Sequence, residues 1–166
     1  MPERLELHLA RNLDVAYSEA LQVLQAGPER WLPEFRRDGD RITAGLALDR
    51  AGRRISRRVE VQLGHVQPFA YGVTVRIEWK GSRLPHLYPR LEGHLRLERG
   101  RPKGCRLSFA ARYEPPAGMF GASVDRAVMY RIADATLNDF LDGVAGLLTG
   151  AEPAPPRKSR RSELRP

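Results

Sequence analysis

A chain of 166 residues, 42% hydrophobic and 29% charged, fits one folded domain that buries a core without cross-links. Its single cysteine, Cys105, excludes an intrachain disulfide and a cysteine-based zinc site, and no window approaches the ~20 consecutive apolar residues of a membrane span. The formal charge of +8 is carried mostly by arginine and is spread along the chain, +3 in residues 151–166 and +5 in the remainder. The opening Met1-Pro2-Glu3-Arg4-Leu5-Glu6 is too charged for a secretory signal, so the expected compartment is the cytoplasm.

Leu5, Leu7 and Leu9 alternate with Glu6 and His8, which predicts a short first strand with one buried face. Asp14 or Asn12 is placed to cap a helix that carries Tyr17, Ala20, Leu21 and Leu24 on one side and stops at Gly27. Pro28 then opens a second short helical turn through Trp31 and Leu32.

From residue 41 the period changes to two. Apolar positions recur at Ile42–Leu48, Ile55–Leu63, Val73–Trp79, Leu91–Leu97 and Cys105–Tyr113, with polar residues between them and Gly or Pro clusters separating the runs. Parallel strands covered on both faces would read as continuous apolar runs, so these strands form an antiparallel sheet with one wet face.

After Pro115-Pro116 a helical pattern extends to about Thr149. Met129, Tyr130, Ala133, Leu137, Phe140, Leu141, Val144, Leu147 and Leu148 share one stripe, Ser123 and Asp125 suit the helix start, and Gly150 suits its end. Such a helix runs about 40 Å, long enough to cross a whole sheet. Residues 1–150 therefore make one domain, and 151–166, rich in proline and basic residues, form a tail that cannot bury a core.

Pro28-Glu29-Arg30-Trp31-Leu32-Pro33 is similar to the D-P-E-R-W-x-P turn that follows the first helix in many bacterial members of the SRPBCC superfamily. Tyr113-Glu114-Pro115-Pro116, followed by a Gly-containing loop and a helix with Ala135-Thr136-Leu137 and Phe140-Leu141, is similar to their final strand-to-helix junction. Across residues 3–149 the chain resembles that superfamily, which includes START-like lipid carriers, Bet v 1-like proteins, polyketide cyclases and coenzyme Q-binding proteins. The resemblance implies an α+β helix-grip fold. In it a curved antiparallel sheet of six to seven strands wraps a long C-terminal helix, with two short helices after the first strand. Six strands are legible where the family commonly has seven, so Leu84–Pro89 hides a short strand or one element is missing.

In that family the concave sheet face looks at the long helix across a pocket. The resemblance therefore implies an apolar ligand site drawn from Tyr17, Trp31, Leu46, Arg57, Val75, Trp79, Phe109, Tyr113, Phe120, Tyr130 and Leu137. Each has a plainer reading beside it: Trp31 packs a helix corner, the tyrosines satisfy backbone carbonyls, Arg57 snorkels to water, and Phe120 packs in a loop. The sheet face supplies neither carboxylate nor histidine, Cys105 reads as a core residue, and no metal-ligand spacing or phosphate-binding glycine loop occurs.

No cofactor is expected. The leading expectation is a binder or carrier of a hydrophobic small molecule such as a lipid, isoprenoid or polyketide. A cyclase- or aromatase-type enzyme is the alternative. A third reading is an interaction module that meets nucleic acid or another anionic surface through the tail and the arginines of the wet face (Arg58, Arg76, Arg96, Arg106, Arg112), although a solvated face is the commoner origin of such residues.

Overall fold

The computed structural model describes residues 4–50, 53–81, 90–100, 103–114 and 126–150; the side chains at 47–50, 53–57, 81 and 126 lie outside that description. Strand β1 (Leu5–Leu13) leads into helices α1 (Tyr17–Ala26) and α2 (Pro28–Trp31). Strands β2 (Arg36–Asp38), β3 (Arg41–Arg50), β4 (Arg53–Leu63), β5 (Gln67–Phe69), β6 (Gly72–Gly81), β7 (Arg90–Arg99) and β8 (Cys105–Glu114) follow, and helix α3 (Arg126–Thr149) ends the described fold. The architecture is α+β, as expected.

All pairings are antiparallel, in the order β1-β8-β7-β6-β4-β3-β2, with β5 also on β6. The six long strands are those read from alternation. Two three-residue strands complete the sheet of eight. Strand β2 seats Arg36–Asp38 along the outer edge of β3. Strand β5 extends the line of β4 along β6, since β4 pairs with residues 77–81 and β5 with 72–74. Three residues are too few to display a period, and Pro68 argues against a strand when read alone. The Leu84–Pro89 segment lies outside the described residues, as do Ser123, Asp125 and the tail from 151 to 166.

One expectation about the first turn is corrected. Strand β1 continues to Leu13, with Asn12 paired to Arg106 and Leu13 to Cys105. Asn12 is therefore committed to the ladder, and α1 begins after Ala16 with no side-chain cap. The continuing match to β8 outweighs the capping propensity of Asn12. Gly27, at φ 127, separates α1 from α2, and Gly150, at φ 72, ends α3.

The register explains the curvature. Helix α3 packs most closely on β1 and β3, the first and sixth strands of the order. In a flat sheet these would stand roughly 24 Å apart at ~4.8 Å per strand, more than twice the width of a helix. The sheet therefore curls so that its flanks meet α3 while its central strands stand back. The space beneath the helix is spanned by side chains: Leu5, Leu7, Leu46, Val61, Val75, Ile77, Trp79, Leu95, Phe109 and Tyr113 from the sheet, and Leu137, Phe140, Leu141 and Val144 from α3.

Candidate functional site

Alternation places Val61, Trp79, Leu91, Tyr113 and Leu5 in one row across five strands, every member buried on the concave face. The next rows bring Ile77, Gly93, Ala111 and Leu7 together, then Val75, Leu95, Phe109 and Leu9. Gly93 leaves room for a ring: a Cβ there would lie 3.0 Å from Phe109 Cε2 and 2.7 Å from the Ala110 carbonyl oxygen. Freed from that obstruction, Phe109 reaches Trp79 and the helix.

The centre of the site is an aromatic trio. Phe140, on α3, meets Trp79 edge-on with centroids 5.1 Å apart and meets Phe109 at 5.6 Å; Trp79 and Phe109 are 6.4 Å apart. Such tilted and T-shaped contacts set the positive ring edge of one partner against the negative face of another. Trp79 is 2% exposed, and its indole Nε1–H has no hydrogen-bond acceptor among the described residues. A buried donor without a partner costs about 1–3 kcal/mol. Thr74 Oγ1 is also buried without a partner, but Thr74 pairs with Gln67 and Arg96 on the outer face, away from α3.

Two titratable groups face inward. Burial pushes the Tyr113 phenol well above its usual value, and burial likewise pushes the Cys105 thiol up. Both are protonated near neutral pH. His8, His65 and His94 are exposed, and the described residues contain no His/Cys/Asp/Glu cluster able to hold a metal ion.

The rim is built differently. Arg11 occupies an inward position of β1 near the sheet edge, where its Nε donates to Asp142 Oδ1 at 2.8 Å and its Nη2 donates to Asn138 Oδ1. This tie fastens α3 to the first strand. On another side Gly143 of α3 lies directly against Pro33, which follows α2; a Cβ at 143 would be 2.8 Å from Pro33 Cγ. Trp31 and Leu32 are buried beside that contact.

Of the residues expected to form the site, Leu46, Val75, Trp79, Phe109, Tyr113 and Leu137 are buried in the space enclosed by the sheet and α3, and Trp31 is buried at its α2 corner. Two others are placed elsewhere. Tyr17 is half-buried at the start of α1, with the Arg99 guanidinium 4.6 Å from its ring centroid. Tyr130 lies seven residues before Leu137, on the same side of the helix, yet is 47% exposed. At the beginning of α3, Ala127, Val128 and Arg131 are exposed as well, while Met129 packs against the core. Arg57 sits opposite Leu46 in the register, but its side chain, like all of Phe120, lies outside the described residues.

A cleft of about 240 Å³ lies on the opposite, outer face, lined by Gln62, Glu78, Lys80, Arg90, Glu92 and Arg112 and bordered by Trp79 and Leu91 of the inward row. Ion pairs lace this face: Arg76 with Glu78, Arg76 with Glu92 at 2.7 Å, and Arg112 with Glu6 at 3.4 Å. They are solvent-exposed and worth little individually. No described helix is long and apolar enough to cross a membrane.

No family model matches the chain, and no curated protein matches it in sequence. Solved structures match it in fold. A conserved protein from Geobacillus kaustophilus is 14% identical, with a TM-score of 0.57 over 88% of this chain and 96% of that one. The Zhui aromatase/cyclase from Streptomyces sp. R1128 is 11% identical, with a TM-score of 0.55 over 88% and 94%. The structure of Ara h 8.0201 is 9% identical, with a TM-score of 0.51 over 89% and 99%. At these identities the likeness is one of architecture. A sheet curled around a long terminal helix, with two short helices after the first strand, is a helix-grip fold, the architecture these solved structures share with the chain.

Proposed function

We propose that the protein binds or carries a hydrophobic small molecule, a lipid, isoprenoid or polyketide-like compound, between the concave sheet face and α3. The observation that carries this reading is the way α3 rests on β1 and β3 and bridges the central strands, with the Trp79, Phe109 and Phe140 rings meeting among aliphatic side chains in the middle. Side chains on a helix surface yield to a ligand more cheaply than a backbone ladder does. Phe140 is the movable member: rotated away from Trp79 and Phe109, it vacates the centre of an apolar chamber.

A cyclase-type role is the second reading, favoured by the likeness to the aromatase/cyclase structures. Enolisation needs a base, and Tyr113 and Cys105 hold their protons at neutral pH. Binding by contact suits this lining better.

The test is native mass spectrometry of freshly purified protein beside a solvent extract of the same sample. A discrete co-purified apolar mass supports the proposal. A protein that emerges clean and takes up no added apolar compound contradicts it.

A further inference from the structure

We infer that the bound molecule carries an uncharged hydrogen-bond acceptor, a ketone, quinone or ester oxygen, which receives the indole N–H of Trp79. The inference rests on the proposed ligand site and deepens it by naming the class of ligand. Its basis is an imbalance in the interior. The Trp79 indole lies between sheet and helix, in contact with Phe109 and Phe140, with its one donor unpaired among the described residues. A native core rarely leaves such a donor unmatched. An acceptor delivered by a ligand repairs the deficit, and a purely hydrocarbon ligand does not.

The surroundings decide the charge of that acceptor. In the same transverse row, two strands along, stands Tyr113, whose phenol burial keeps protonated and therefore able to donate. The row is otherwise Val61, Leu91 and Leu5. The charged side chains described at inward positions lie at the rim: Arg11, engaged by Asp142 and Asn138, and Arg99, stacked on Tyr17. A carboxylate beside Trp79 would be stripped of water, and among the described residues no cation stands beside the indole to meet it, which makes it far costlier to bury than a ketone. The strand spacing puts the backbones of positions 79 and 113 about 10 Å apart, so a fused-ring diketone can reach both donors.

The experiment compares three probes of one shape with the full chain: 2-acetylnaphthalene, 2-ethylnaphthalene and 2-naphthoate. Dissociation constants are measured by equilibrium dialysis, and the two indole N–H signals are followed in ¹H–¹⁵N spectra, assigned with Trp31→Phe. The expected result is that 2-acetylnaphthalene binds roughly five- to tenfold more tightly than 2-ethylnaphthalene. Its binding moves the Trp79 N–H signal downfield, 2-naphthoate binds weakest, and Trp79→Phe erases the preference while 2-ethylnaphthalene still binds. The spectra of the unaltered protein keep the test decisive if Trp79→Phe fails to fold. Equal affinities for the acetyl and ethyl compounds, or a preference for the carboxylate, overturn the inference and leave the apolar site standing. Failure of all three to bind overturns the site and the inference together.

Discussion

Phe140 has an energetic part and a functional one. It fills the gap between Trp79 and Phe109, so Phe140→Ala is expected to cost about 3–5 kcal/mol, seen as a lower urea midpoint. The same change opens space, so saturating 2-ethylnaphthalene is expected to recover part of that loss in the variant. Tyr113 makes a separate prediction at alkaline pH. Its folded-state pKa lies above the unfolded value near 10, so the proton is held more tightly in the folded state. The resulting stabilisation is complete below pH ~10 and is lost as pH rises beyond it. Urea titrations between pH 9 and 11 are expected to show a steeper fall for the unaltered protein than for Tyr113→Phe. Cys105, raised in the same direction, serves as the control through Cys105→Ala. At this scale the sequence was informative for the sheet, where one parity rule located Val75, Trp79, Phe109 and Tyr113 together. Continuing the Leu5, Leu7, Leu9 alternation to position 11 is the signal that would have found Arg11. The missing partner of Trp79 depends on three dimensions and left no trace in the pattern.

Helix α3 is held by contacts that oppose its own propensities. Glycine inside a helix costs about 0.5–1 kcal/mol relative to alanine, so Gly→Ala normally stabilises. At Gly143 the new methyl would meet the rigid ring of Pro33 at 2.8 Å, and overpacking of this kind costs about 1–3 kcal/mol. Gly143→Ala is therefore expected to lower stability, and a rise in the thermal midpoint would contradict the close approach of α2 and α3. The Arg11 tie contributes less because Asp142 is well exposed: Arg11→Ala is expected to cost at most about 1 kcal/mol, with much of its effect removed at high salt. Element type was legible wherever a strand was long enough to show its period. Strands β2 and β5 exist because longer neighbours extend a ladder to them, and Tyr130 is exposed although Met129 beside it packs on the core. A helical stripe in the sequence carries neither piece of information.

For the whole molecule, the two faces of the sheet differ in chemistry. The concave face is apolar and closed by α3, whereas the outer face carries exposed ion pairs and a polar cleft. Uptake of a neutral ligand inside is expected to change little between 50 and 500 mM salt, while binding of a polyanion to the arginines outside would weaken steeply. A ¹H–¹⁵N titration of the full chain with 2-ethylnaphthalene, reading backbone and indole signals together, distinguishes the two faces. Binding in the interior is expected to shift Trp79, inward-facing Leu95, Phe109 and Tyr113, and α3 from Leu137 to Val144. Shifts confined to Gln62, Glu78, Glu92 and Arg112 around the outer cleft would contradict it.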